Sequence, residues 1–152
     1  MFVTLSNQSI SEVLKYRISS LTLRADDILH IDIKGEETFT IADYYDLMDG
    51  AFKLGGGKQL LNLITMGKYT LPDHAARVLS TSIEGGKYKL ADAFVINSLP
   101  QKIIGNFYMK YHKPYTPTQF FNDEIIAVNW LNNQRKQFSE NNNKSILYIR
   151  SL

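Results

Sequence analysis

The sequence predicts an α/β fold with a single mixed, partly parallel sheet of four to five strands flanked by helices. Three observations carry that expectation. Two segments in the first quarter of the chain alternate apolar and polar residues. The chain then switches repeatedly between helical spacing and short apolar runs. Its 152 residues, 44% hydrophobic and 21% charged, suit one soluble core. The expected order is ββαβαβαβα, with a C-terminal strand as an option.

The two alternating segments are Ile18 to Arg24 and Ile28 to Lys34. Ala25, Asp26 and Asp27 supply turn formers between them, so the pair reads as an antiparallel hairpin. Ile41, Tyr45, Met48 and Phe52, with Ala51 beside them, then form a helical stripe. Thr40 and Asp43 have the spacing of a capping box, and Gly55 offers a helix stop. Gln59 to Thr65 reads as a strand buried on both faces.

The glycines in "KLGGGKQLL" (Lys53 to Leu61) look at first like a phosphate loop. Such a loop runs from a strand into a helix, so that amides and the positive helix end face the anion. Here the order is helix, glycines, strand, and Gln59 follows Lys58 where a Ser or Thr is needed. The stretch reads as a structural turn.

Leu71 to Ile83 is the next helix, with Ala75, Ala76, Leu79 and Ile83 on one side, and Ala91 to Asn97 the next strand. Ser98 can cap a helix that tolerates Pro100 in its first turn. That helix has an apolar stripe of Leu99, Ile103, Ile104, Phe107, Tyr108 and Tyr111, and the prolines between His112 and Pro117 end it. Thr118 to Phe121 suits an edge strand. Asn122 then caps a helix with Ile126, Ala127, Trp130, Leu131 and Gln134 on one side. Residues 1–138 form one domain. Residues 139–152 hold an Asn-rich joint (Asn141 to Asn143) and a tail whose "SILYIRS" can pair as a strand, in a sheet or with a second copy.

The net charge of +2 is too even to argue for nucleic acid. Cysteine is absent, which excludes a thiol nucleophile and fits a reducing cytoplasm. The N-terminus lacks the pattern of a signal peptide, and no apolar run reaches the roughly 20 residues that cross a bilayer. His30, His74 and His112 lack metal-ligand spacing, so no metal and no cofactor is expected. No serine lies in a nucleophile elbow. Lys102, Lys110 and Lys113 are interleaved with Phe107, Tyr108, Tyr111, Tyr115, Phe120 and Phe121. The plain reading makes the aromatics core and the lysines a solvated face.

The element order, "GKYTLPDHAAR" (Gly67 to Arg77) and the block from Ala91 to Leu131 resemble the STAS-like proteins. These are small, mostly uncharacterised bacterial proteins related to anti-sigma-factor antagonists and to lipid-binding CRAL-TRIO-type domains. The likeness runs from Leu21 to Leu131, and rests on Asn97–Ser98, the run Ile104 to Phe107, and Ala127 with Trp130–Leu131. It implies a non-enzymatic regulatory or protein-interaction module of the cytoplasm. The alternative it implies is a small-ligand or lipid-binding domain with an apolar pocket. The phosphorylated Asp-Ser-Ser-Gly turn of the antagonists is missing: "MGKYTLPD" (Met66 to Asp73) stands there. Thr70 is its nearest hydroxyl and the candidate phosphoacceptor, with an ordinary N-cap threonine as the alternative.

Two helix starts should converge at the carboxyl ends of the parallel strands. Lys68, Thr70, Asp73, Asn97, Ser98 and Gln101 are therefore candidate binding residues for a partner, or for a small apolar or anionic ligand. Expected partners are another protein or a second copy in a homodimer, with neither nucleic acid nor stable membrane insertion.

Overall fold

The computed structural model describes residues 11–151. The reading of the N-terminal leader falls on residues that include 1–10, outside this range. Six strands form one mixed sheet: β1 (Val13–Lys15), β2 (Ser19–Leu23), β3 (Ile28–Ile33), β4 (Leu60–Met66), β5 (Lys89–Val95) and β6 (Thr118–Phe121). They lie side by side in chain order. β1, β2 and β3 pair antiparallel, and β3 to β6 pair parallel. The α/β class and single mixed sheet are those expected, with more strands, since the three-residue β1 is too short to show a period.

Sequential parallel strands joined by right-handed crossovers place every connecting helix on one face. Those helices are α1 (Ile41–Gly55), α2 (His74–Thr81) and α3 (Leu99–Phe107), the last continuing into a π-helical turn, Tyr108–His112. The other face is left to α4 (Glu124–Ser151), which packs on β4, β5 and β6. Strand alternation sorts the cores accordingly. Leu29, Ile31, Ile33, Leu60 and Ile64 face α1 and α2, while Ile28, Leu61, Leu63, Ala91 and Ala93 pack with Ala127 and Leu131 of α4.

Local signals hold where the chemistry is specific. Thr40 and Asp43 make the reciprocal capping box, and Ser98 accepts from the Gln101 amide. Glycine ends α1 as expected, one residue later: Gly56 is left-handed at φ 62° and Gly57 follows at φ 84°. Other boundaries move. Asp73, not Thr70, caps α2, since its carboxylate accepts from the Ala76 amide. Asp123, not Asn122, accepts from the Ile126 amide at the start of α4.

Two corrections concern faces and one the tail. On α1 the inward residues are Tyr44, Leu47, Gly50 and Ala51, while Ile41, Tyr45 and Phe52 are exposed. Gly50 decides the rotation: a Cβ there would stand 2.6 Å from Leu21 Cδ2, so only glycine lets β2 approach. On α3 the inward residues are Gln101 and Gly105, which lies against the Phe120 ring, with Tyr108 just beyond. Leu99, Ile103, Phe107 and Tyr111 are exposed by 69, 58, 45 and 61%, so these aromatics and aliphatics are not core. The tail is not a strand. No glycine or proline interrupts the chain from Glu124 to Ser151, and α4 runs through the asparagines for 28 residues.

Candidate functional site

The parallel strands run in sequence order, so the sheet has no switch point where two crossovers part to open a crevice. Space appears instead beneath the helices. A cavity of about 100 Å³ lies between the sheet and α1, α2 and α3. Ile31, Leu47, Ile64 and Phe94 are among its apolar walls, and Tyr44 and Tyr108 add phenol rings.

Polar side chains interrupt this lining. Asn62 and Asp92 come from neighbouring central strands, at paired positions, and their alternation turns both toward the helices. Asn62 Nδ2 donates to Asp92 Oδ1 at 2.9 Å. Lys89 Nζ donates to Asp92 Oδ2 at 2.7 Å and to the Ser80 carbonyl at 2.8 Å. The second bond satisfies a carbonyl in the last turn of α2, where a cation also suits the helix dipole. The Lys89 ammonium stands 5.7 Å from the Tyr44 ring centroid. Ser80 Oγ lies 3.0 Å from Tyr108 Oη. Arg77 on α2 also lines the cavity, and its guanidinium donates to the Pro72 carbonyl at 2.7 Å.

Burial shapes the ionisation here. It pulls the Lys89 ammonium toward neutrality, but the Asp92 charge, the neighbouring Tyr44 and Tyr108 phenols and the hydrogen bond to Asp92 together outweigh this and keep the lysine protonated. Burial pushes the Tyr44 phenol up to about 12 and raises that of Tyr108 as well. Both phenols therefore stay neutral donors at physiological pH. Among the described residues three buried side-chain polar atoms remain without partners, two of them in this lining and the third, Thr116 Oγ1, outside it. Asn62 Oδ1 accepts nothing, although the residue is only 6% exposed, and Arg77 Nε–H donates to nothing. The Asn62 amide cannot be turned round to cure this, because its nitrogen must face the Asp92 carboxylate.

Of the six residues expected at the strand ends, Asp73 caps α2, while the other five, four in loops and Gln101 in the first turn of α3, are joined by hydrogen bonds. The others tie loops to one another. Ser98 Oγ donates to the Lys68 carbonyl at 2.9 Å. Gln101 Nε2 donates to the Gly67 carbonyl at 2.6 Å, and Gln101 Oε1 accepts from the Asn97 amide. Asn97 Nδ2 reaches the Met66 carbonyl. Thr70 is 1% exposed, and its hydroxyl donates to the Gly35 carbonyl at 2.5 Å. Only Thr70 and Gln101 of the six also line the cavity. Sequence reasoning missed Asn62, Lys89 and Asp92. A polar residue inside each of two apolar strand runs was the available signal. The three histidines form no metal cluster among the described residues; the His74 and His112 ring centroids lie 5.8 Å apart with their planes tilted by 58°.

The chain belongs to the family described as "Domain of unknown function (DUF7793)", whose model matches residues 21–135. No curated protein matches it. Among solved structures it is similar to an uncharacterised DUF3478 protein with a SpoIIAA-like fold from Shewanella loihica PV-4. That pair is 20% identical, covers 80% of this chain and 91% of the other, and has a TM-score of 0.48. A protein of unknown function from Arthrobacter sp. FB24 is 24% identical over 73% of this chain and 96% of its own, with a TM-score of 0.28. No helix among the described residues is long and apolar enough to cross a membrane.

Proposed function

We propose that this DUF7793 chain is a non-enzymatic module that binds a small, largely apolar ligand beneath α1, α2 and α3. One observation carries the reading: an apolar cavity whose wall holds buried polar atoms that the protein itself leaves unpaired. The absence of catalysis is supported by the state of the ionisable pair facing the cavity, since Lys89 and Asp92 are spent on each other. A cysteine-free chain suits a cytoplasmic setting. Ligand-observed NMR with toluene on the purified chain tests the reading. Saturation transfer should appear, and should vanish when Ala76→Leu fills the cavity from α2. No transfer between the unmodified chain and toluene, phenol or benzoate sinks it.

A second reading, recognition of a protein or a second copy of the chain, is favoured by the exposed stripe of Leu99, Ile103, Phe107 and Tyr111. Sedimentation velocity over rising concentration tests self-association. A dimer abolished by Ile103→Asp supports it, and a concentration-independent monomer mass removes the homodimer.

A further inference from the structure

Resting on the ligand-binding reading, we infer that the cavity selects a ring-sized apolar acid with a second, hydrogen-bond-donating group. Its carboxylate meets Arg77, and its O–H or N–H meets Asn62 Oδ1. Size comes first. An engineered apolar cavity of about 150 Å³ holds benzene, so a cavity of about 100 Å³ takes one ring or a short chain and not a diacyl lipid.

The polar requirements follow from the two orphaned atoms. Asn62 lies on the central strand β4, and its Oδ1 is an acceptor closed to bulk water. Within the wall, Asp92 can only accept, and Lys89 directs two of its three N–H donors to Asp92 and the Ser80 carbonyl and none to Asn62. An occupant carrying a donor supplies the missing bond. Arg77 presents the opposite need. Its Nε–H is buried without an acceptor, and no acid lies within ion-pair distance of its guanidinium among the described residues. Asp73, four residues earlier, is engaged in capping α2. Nearby His74 and His112 bring no negative charge. Arg77 stands half-buried on α2 while Asn62 lies deep in the sheet, so an anionic group would stay near solvent with the apolar body beneath it. A carboxylate suits the planar guanidinium better than a neutral acceptor does.

Calorimetric titration of the full chain with toluene, phenol and benzoate separates the requirements. Phenol adds only the donor and benzoate only the anion. Each should bind about tenfold tighter than toluene, as one recovered buried hydrogen bond implies. Asn62→Leu should erase the phenol preference and leave that for benzoate; Arg77→Met should do the reverse. If none of the three binds the unmodified chain, the pocket reading itself fails. If toluene binds as tightly as phenol and benzoate, the pocket stands and the inference falls. A preference that survives its matching substitution also overturns it. Should a variant not fold, the comparison on the unmodified chain decides alone.

Discussion

Replacing Lys89 by Met tests whether the buried ion pair holds the two central strands and α2 together. The lysine and Asp92 side chains are 6% and 4% exposed, so little water stands ready to take over. The substitution keeps the apolar stem but removes two charge-assisted bonds, to Asp92 Oδ2 and the Ser80 carbonyl. Asp92 would keep only the Asn62 amide, and Ser80 would lose a partner. Breaking one side of a buried pair costs about 3–5 kcal/mol. In a chain of this length that is a fall in Tm of roughly 10 °C. Urea unfolding at pH 7, followed by the single tryptophan, Trp130, reads the loss. Lys89→Met with Asp92→Asn should recover most of the loss, since an amide still accepts from Asn62 and no charge is stranded. A single variant within about 1 kcal/mol of the unmodified chain would refute the argument. So would a double variant no more stable than the single one.

Other outcomes follow from the same geometry. Asp43, buried at the start of α1, is held down to about 2 by the Arg17 guanidinium and the cap bonds from Thr40. Its folded value lies below the unfolded one, so its contribution is present above about pH 4 and lost as pH falls toward 2. Asp43→Asn should cost about 1–2 kcal/mol at pH 7, and the gap in urea midpoints should close over that acid window. Gly85→Ala would place a Cβ 1.9 Å from the Leu79 carbonyl oxygen and disturb the carbonyl that accepts from Tyr44. A loss of about 2–3 kcal/mol is expected; a Tm within about 2 °C of the parent would contradict it. Deleting residues 139–152 removes helix that is exposed throughout residues 139–151. Tm should move by no more than about 2 °C, and a larger fall would mean the segment is packed against something.

Where one residue type answers one physical need, the sequence was readable. The Thr40–Asp43 box, the Ser98 cap and the glycine turn after α1 depend on local hydrogen bonds and left-handed backbone, which composition displays directly. Helix faces were harder. α1 offers two apolar stripes one residue apart, and hydrophobicity alone favours Ile41, Tyr45 and Phe52 over Tyr44, Leu47 and Gly50. Glycine carries no apolar weight, yet Gly50 and Gly105 face inward against Leu21 and Phe120. A helix of mixed pattern is better oriented by its interior glycine than by its largest side chains.

The same blindness to small and polar residues hid the candidate site. Asn62 and Asp92 break two apolar strand runs, and a buried polar residue costs stability unless something pairs with it. Lys89 and Asn62 Nδ2 pair with the carboxylate; nothing in the described chain pairs with Asn62 Oδ1. A purely structural polar cluster would have closed that last bond, as the strand-end loops do around Gln101 and Thr70. The contrast between a satisfied network at the strand ends and an unsatisfied one beneath the helices supports the proposal of a ligand in the interior.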